Sequence, residues 1–231
     1  VMEIFKNKEV DDNGGELNIA VHRLQRVKTI LEVLVHQWEI METMTPLDFL
    51  DFRDLLRPAS GFQSMQFKIL EARLGLRMEA RFGKMYYTSQ LRPDHKAQID
   101  ALENEPTLLE LVNKWLERMP FLQEQFWPGE TDFFGRLEKL YVGSLVKGEE
   151  GNAKLWKEIF VDGSPERHFS PAAARSALFI MLYRDEPIFQ QAFRFLDSLL
   201  DVDTVMASWR ARHISMVHRM IGLRVGTGGS T

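Results

Sequence analysis

The sequence predicts an all-α fold, a multi-helix bundle forming a single domain over residues 1–231, and three observations predict it. Apolar residues recur at i, i+3, i+4 and i+7 in one segment after another. No stretch shows the apolar–polar alternation of a half-buried strand. Proline and glycine fall where helices start and stop, as in Ser170-Pro171 and Gly75. With 231 residues, 45% hydrophobic and 27% charged, the chain has the material for one core in a soluble globular protein. A formal net charge of −4 provides no electrostatic footprint for nucleic acid. No apolar run reaches the ~18 residues that a membrane span requires. The absence of cysteine excludes disulfides and thiolate metal sites and is compatible with a cytoplasmic location.

Taken in order, Val1 to Lys8 begins helix-like and passes into a turn at Asp11 to Gly15. Leu17 to Met44 reads as one long helix, and Ile30, Val33 and Ile40 widen its stripe enough to predict burial on more than one side. His22 and His36 lie on it without partners at metal spacing and read as surface or packing residues. Thr45-Pro46 opens a helix to about Leu56, closed by Pro58. Ser60 caps the next, which runs to Leu74 and stops at Gly75. Residues 76–93 read as irregular or weakly helical. Pro93 to Asn104 is a short polar helix. Pro106 to Met119 is amphipathic, and a loop is punctuated by Pro120, Pro128 and Gly129. Thr131 to Val146 is helical, and Lys147 to Asn152 is a polar break where residues could be missing. Ala153 to Phe160, Ser170-Pro171 to about Arg184, and Pro187 to Leu200 complete the set before the last helix. Asp201 or Asp203 caps that last helix and Gly222 ends it.

The last helix organises the chain. Met206, Trp209, His213, Met216, Val217 and Met220 share one face, with Arg210 and Arg219 off it. An imidazole inside an apolar stripe has two readings, a core histidine satisfied by a backbone carbonyl or an axial ligand to haem iron. His218 is five residues on, about 140° around the helix, so the two cannot face one ligand. Beyond the helix, Thr227 sits in Gly226-Thr227-Gly228-Gly229, a segment that allows close backbone approach to a ligand or is simply a mobile loop. Phe49 and Arg53 are four apart and share a helix face. The arginine fork suits a carboxylate and the ring a flat ligand; alternatively Arg53 is a surface residue paired with Asp51 or Asp54. Ser60-Gly61 opens a helix whose N-terminus can receive an anion, with Phe67 in the core.

Several blocks resemble the tryptophan 2,3-dioxygenase family: ETMTPLDFLDFR (42–53), PASGFQSMQFKILE (58–71), TLLELVNKWLER (107–118), YRDEPIF (183–189) and residues 209–229. They span most of the chain in the family's order. The resemblance implies an all-helical haem-binding bundle carrying haem b and its iron. It implies insertion of both atoms of O2 across the indole C2–C3 bond of L-tryptophan to give N-formylkynurenine, the first step of the kynurenine route. It matches the family's proximal histidine to His213 and a residue packed against that histidine to Trp209. It matches Phe49 and Arg53 to residues that contact the indole and the carboxylate. Ser60 and Gly61 match positions beside the haem, Phe67 a pocket wall, and Thr227 a residue that binds the ammonium and carboxylate end. A cytoplasmic homotetramer is implied, with neither nucleic acid nor membrane as partner.

The family carries a distal-histidine motif upstream, further helices downstream, and tyrosines that reach in from a neighbouring subunit. None is matched here, so the domain is expected to be incomplete at both ends and no catalytic residue is assigned. Two other readings stand beside this one: an indoleamine dioxygenase with broader substrates, and a non-catalytic helical interaction module. A haem absorption spectrum separates the last from the other two.

Overall fold

The computed structural model describes residues 1–7, 15–76, 88–89, 91–119 and 132–226. Among them all regular structure is helical. The α-helices are α1 (Met2–Lys6), α2 (Gly15–Met41), α3 (Pro46–Arg53), α4 (Met65–Leu74), α5 (Pro93–Leu102), α6 (Leu108–Glu117), α7 (Phe133–Ser144), α8 (Glu150–Lys157), α9 (Pro171–Leu182) and α10 (Gln190–Ile221). The chain forms two compact units, Val1–Ile19 with Leu108–Leu196, and Ala20–Thr107 with Asp197–Thr231. No described helix is long and apolar enough to cross a membrane.

The first unit is built on the stripe of α6. Leu108, Leu111, Val112, Trp115 and Leu116 are all buried, as their spacing predicts. Phe5 of α1 meets Trp115 edge-on at 5.5 Å and stacks on Phe195 at 4.6 Å. Ser170 caps α9 as the Ser-Pro pair predicts, its Oγ accepting from the Ala173 N–H at 3.3 Å. The same hydroxyl donates to Glu117 Oε1 at 2.6 Å, and the Ser170 N–H donates to Asn113 Oδ1 at 2.8 Å. The start of α9 is therefore pinned to α6 as well as capped.

The second unit is built on α2 and the later part of α10. Leu31, Val202 and Met206 are its buried centre, with Val27, Leu34, Phe67, Leu70 and Leu74 packed round them. Thr45 and Asp48 form a reciprocal capping box at the start of α3, with Pro46 at its first position. Gly75 closes α4 in the left-handed region at φ 100°, a conformation glycine adopts without Cβ strain.

Three expectations are corrected. Ile30, Val33 and Ile40 are exposed, so α2 is buried along one stripe rather than on several sides. Helix α4 starts after Ser64, whose side chain makes no capping bond, and not at Ser60: a 3₁₀ turn over Gly61–Gln63 comes first, and the Gln63 side chain folds back to accept from the Ser60 N–H. Finally, α10 runs unbroken from Gln190 to Ile221, so neither Asp201 nor Asp203 starts a helix. The apolar stripe continues through Phe195, Val202 and Met206, and the Asp201 carboxylate is taken by the Lys28 ammonium at 2.8 Å instead of a backbone N–H.

Candidate functional site

His213 lies two turns before the end of α10, on the face that its spacing predicts. Trp209 sits one turn earlier and stacks on the imidazole, with centroids 5.3 Å apart and planes at 24°. Phe67 of α4 lies 4.9 Å from Trp209. Trp38 of α2 closes the group, 5.4 Å from His213 and 5.6 Å from Trp209. The imidazole thus lies against rings of α2 and α10, with Phe67 of α4 packed on Trp209 behind it.

This ring does not behave as a satisfied core histidine. It is half-buried and makes no hydrogen bond to any described residue. Burial pushes its pKa below the ordinary 6.5, because desolvation disfavours the imidazolium. It is therefore a neutral imidazole at neutral pH, and no described residue occupies its ring nitrogens by a hydrogen bond. His218 is exposed, as are His22 and His36. Gly222 then ends the helix at φ 61°.

Arg53 is buried at 9% exposure, which excludes the surface reading. Its described partner is neither Asp51 nor Asp54; Asp54 pairs with Arg57 at 3.2 Å. Arg53 Nη2 donates to the Val225 carbonyl, while its Nε is buried with no hydrogen-bond partner among the described residues. A buried guanidinium with an unspent donor is a site for an acceptor, and a carboxylate is the acceptor its fork suits best. Val225 stands two residues before Thr227, so the clamp meets the root of the glycine-rich segment; Thr227 itself lies outside the described residues. Phe49 is half-buried and its ring meets Phe52 edge-on at 5.4 Å.

Ser60 is half-buried in the link between α3 and α4, its N–H held by Gln63. Gly61 is exposed, and a Cβ built on it would meet no described atom within 4 Å. The structure thus brings His213, Trp209 and Phe67 together, and sets Arg53 against the backbone ahead of Thr227. Trp38 belongs to the group but reads in sequence only as one more apolar position of a long helix. Its register is the available signal, since Val27, Leu31, Leu34 and Trp38 share one face.

Among the described residues no group of three or more His, Cys, Asp or Glu converges as a metal site. The fold and these side chains define a class: a helical protein with a neutral imidazole among aromatic planes and, in the same unit, a buried guanidinium with an unspent donor. The comparisons narrow it. The family model for tryptophan 2,3-dioxygenase matches residues 1–159 and 151–231. The tryptophan 2,3-dioxygenases of Xenopus laevis and Mus musculus are 40% and 38% identical over the whole chain, each covered over 63% of its own length. That of Bdellovibrio bacteriovorus is 37% identical, covered over 71%. The chain belongs to the tryptophan 2,3-dioxygenase family, and spans rather less than two thirds of the length of its animal relatives.

The residues on hand suit a haem. His213 would offer a nitrogen ligand to the iron that the porphyrin carries, and the aromatic planes beside it match a flat macrocycle in chemistry.

Proposed function

We propose that this protein is a haem-dependent dioxygenase that converts L-tryptophan and O2 to N-formylkynurenine. The observation that carries the reading is the match of the whole chain to proteins named tryptophan 2,3-dioxygenase. The imidazole of His213, which makes no hydrogen bond to a described residue, supports haem b as the cofactor. In the reaction the indole C2–C3 bond breaks and each carbon becomes a carbonyl carrying one atom of O2, so no external reductant is consumed. Haem, when bound, supplies the iron that makes O2 reactive toward the indole.

The chain's own residues bind, orient and enclose. His213 would hold the iron, with Trp209 stacked on its ring. Arg53 would hold the substrate carboxylate with the fork that Lys lacks. Phe49 and Phe67 would offer ring surface to the indole, Ser60 and Gly61 would lie beside the cofactor, and Thr227 would take the ammonium end. Orientation of this kind converts an encounter into an oriented reaction, and closing the site excludes water from it. A cytoplasmic homotetramer is part of the same reading.

The test is turnover of L-tryptophan by the haem-loaded protein, followed at the absorbance of N-formylkynurenine. Haem uptake with turnover is the expected result; haem uptake without turnover would refute the activity. His213→Ala should abolish the histidine-ligated ferrous spectrum and His218→Ala should keep it. A normal spectrum in His213→Ala would overturn the ligand assignment.

A further inference from the structure

Two ion pairs flank His213. Arg210 Nη2 donates to Glu71 Oε1 of α4 at 2.7 Å, and Glu71 is buried. Arg212 Nη1 lies 3.6 Å from Glu39 Oε1 of α2. At about 100° per residue, Arg210 projects roughly 60° to one side of His213 and Arg212 roughly 100° to the other. The two arms therefore oppose rotation of the helix in opposite senses. Each glutamate also shares its helix with one of the aromatic residues. Glu39 follows Trp38, which packs on the imidazole, and Glu71 lies one turn after Phe67, which packs on Trp209.

We propose that Glu71 and Glu39, acting through Arg210 and Arg212, are positioning residues that set the rotation of α10 at His213 and hence the plane its imidazole presents to a bound cofactor. The proposal rests on the reading of His213 as the axial ligand. The imidazole has no hydrogen bond to a described residue that would fix its plane, so ring contacts and helix rotation must do so. The arms are unequal. The Glu71 carboxylate is 8% exposed and weakly screened, whereas Glu39 is 57% exposed and its pair weakens with salt.

The experiment compares Glu71→Gln, Glu39→Gln, His213→Ala and Lys28→Met in the full chain loaded with haem. The readouts are the iron–histidine stretching line of the ferrous protein and the rate of haem loss to an acceptor protein. Lys28→Met is the control: it breaks the Lys28–Asp201 pair, which also ties α2 to α10, but three turns before His213. The proposal expects Glu71→Gln to shift or broaden the line and speed haem loss about tenfold, in the range for loss of a group that orients a metal ligand. It expects a smaller change for Glu39→Gln and none for Lys28→Met. If His213→Ala keeps the line, the ligand assignment fails and takes this proposal with it. If His213→Ala loses the line but Glu71→Gln matches wild type, the assignment stands and the positioning role is refuted. Equal changes in Glu71→Gln and Lys28→Met would also refute it, since they mean general loosening. Should Glu71→Gln not fold by circular dichroism, Glu39→Gln decides: no change in its line refutes the proposal.

Discussion

At His213 a single desolvated ring makes a pH prediction. The unfolded ring titrates at its ordinary 6.5, and burial alone holds the folded one lower. Just below pH 6.5 the unfolded chain therefore binds more protons than the folded one, and stability falls as pH falls. The contribution is fully present above 6.5 and is lost as pH drops through the folded midpoint. In the haem-free protein, NMR titration of the ring should give a midpoint under 6.5, and His213→Gln should flatten that part of the stability profile. A midpoint at or above 6.5 contradicts the burial argument. Arg53 makes a second prediction. If Arg53 holds the substrate carboxylate as proposed, losing that charge-assisted contact in a buried site should cost roughly 2–5 kcal/mol in kcat/KM for L-tryptophan. Arg53→Lys should recover little of it, because the ammonium cannot make the two parallel bonds of the fork. Tryptamine has no carboxylate and should lose much less, so equal losses for both substrates would remove Arg53 from that role.

Among the elements, the helices legible in sequence are those where periodicity and capping agree. Ser170-Pro171, Thr45-Pro46 and Gly75 all act as their chemistry dictates. Ser170→Ala should therefore cost about 1 kcal/mol for the cap alone, read from a denaturant midpoint. The measured cost should be larger, because the hydroxyl also donates to Glu117 across to α6. If Glu117→Ala is already present, the further cost of Ser170→Ala should fall back toward the cap value. Where sequence misled, a local signal lost to a tertiary one. Asp201 has the chemistry of a cap, but Lys28, 173 positions away, claims its carboxylate and the apolar stripe runs straight through. Ile30, Val33 and Ile40 have the chemistry of a core, yet they stand exposed, with no described element covering them. The site divides in the same way. The His213–Trp209 stack is legible because both residues lie on one helix. Trp38 and Glu71 are not legible as its neighbours, because only folding brings α2 and α4 to that face.

Across the whole molecule, the two cores draw on separate side chains. The rings described around His213 are Trp38, Phe67 and Trp209 of one unit, while Phe5, Trp115 and Phe195 build the core of the other. Trp115 is 1% exposed, and its indole N–H is buried with no partner among the described residues. An unsatisfied buried donor costs about 1–3 kcal/mol, while truncating a buried tryptophan to alanine costs about 3–5 kcal/mol. Trp115→Ala should therefore destabilise the protein by about that larger amount. Trp115→Phe removes the orphan donor along with some volume and keeps a ring against Phe5 and Phe195, so the two effects offset and the change should be within about 1.5 kcal/mol. Neither variant removes an atom that touches the His213 group, so the folded fraction of each should keep the wild-type iron–histidine line. Urea unfolding checks the first pair of values and the ferrous spectrum the second. A shifted line in Trp115→Phe at unchanged stability would contradict this expectation.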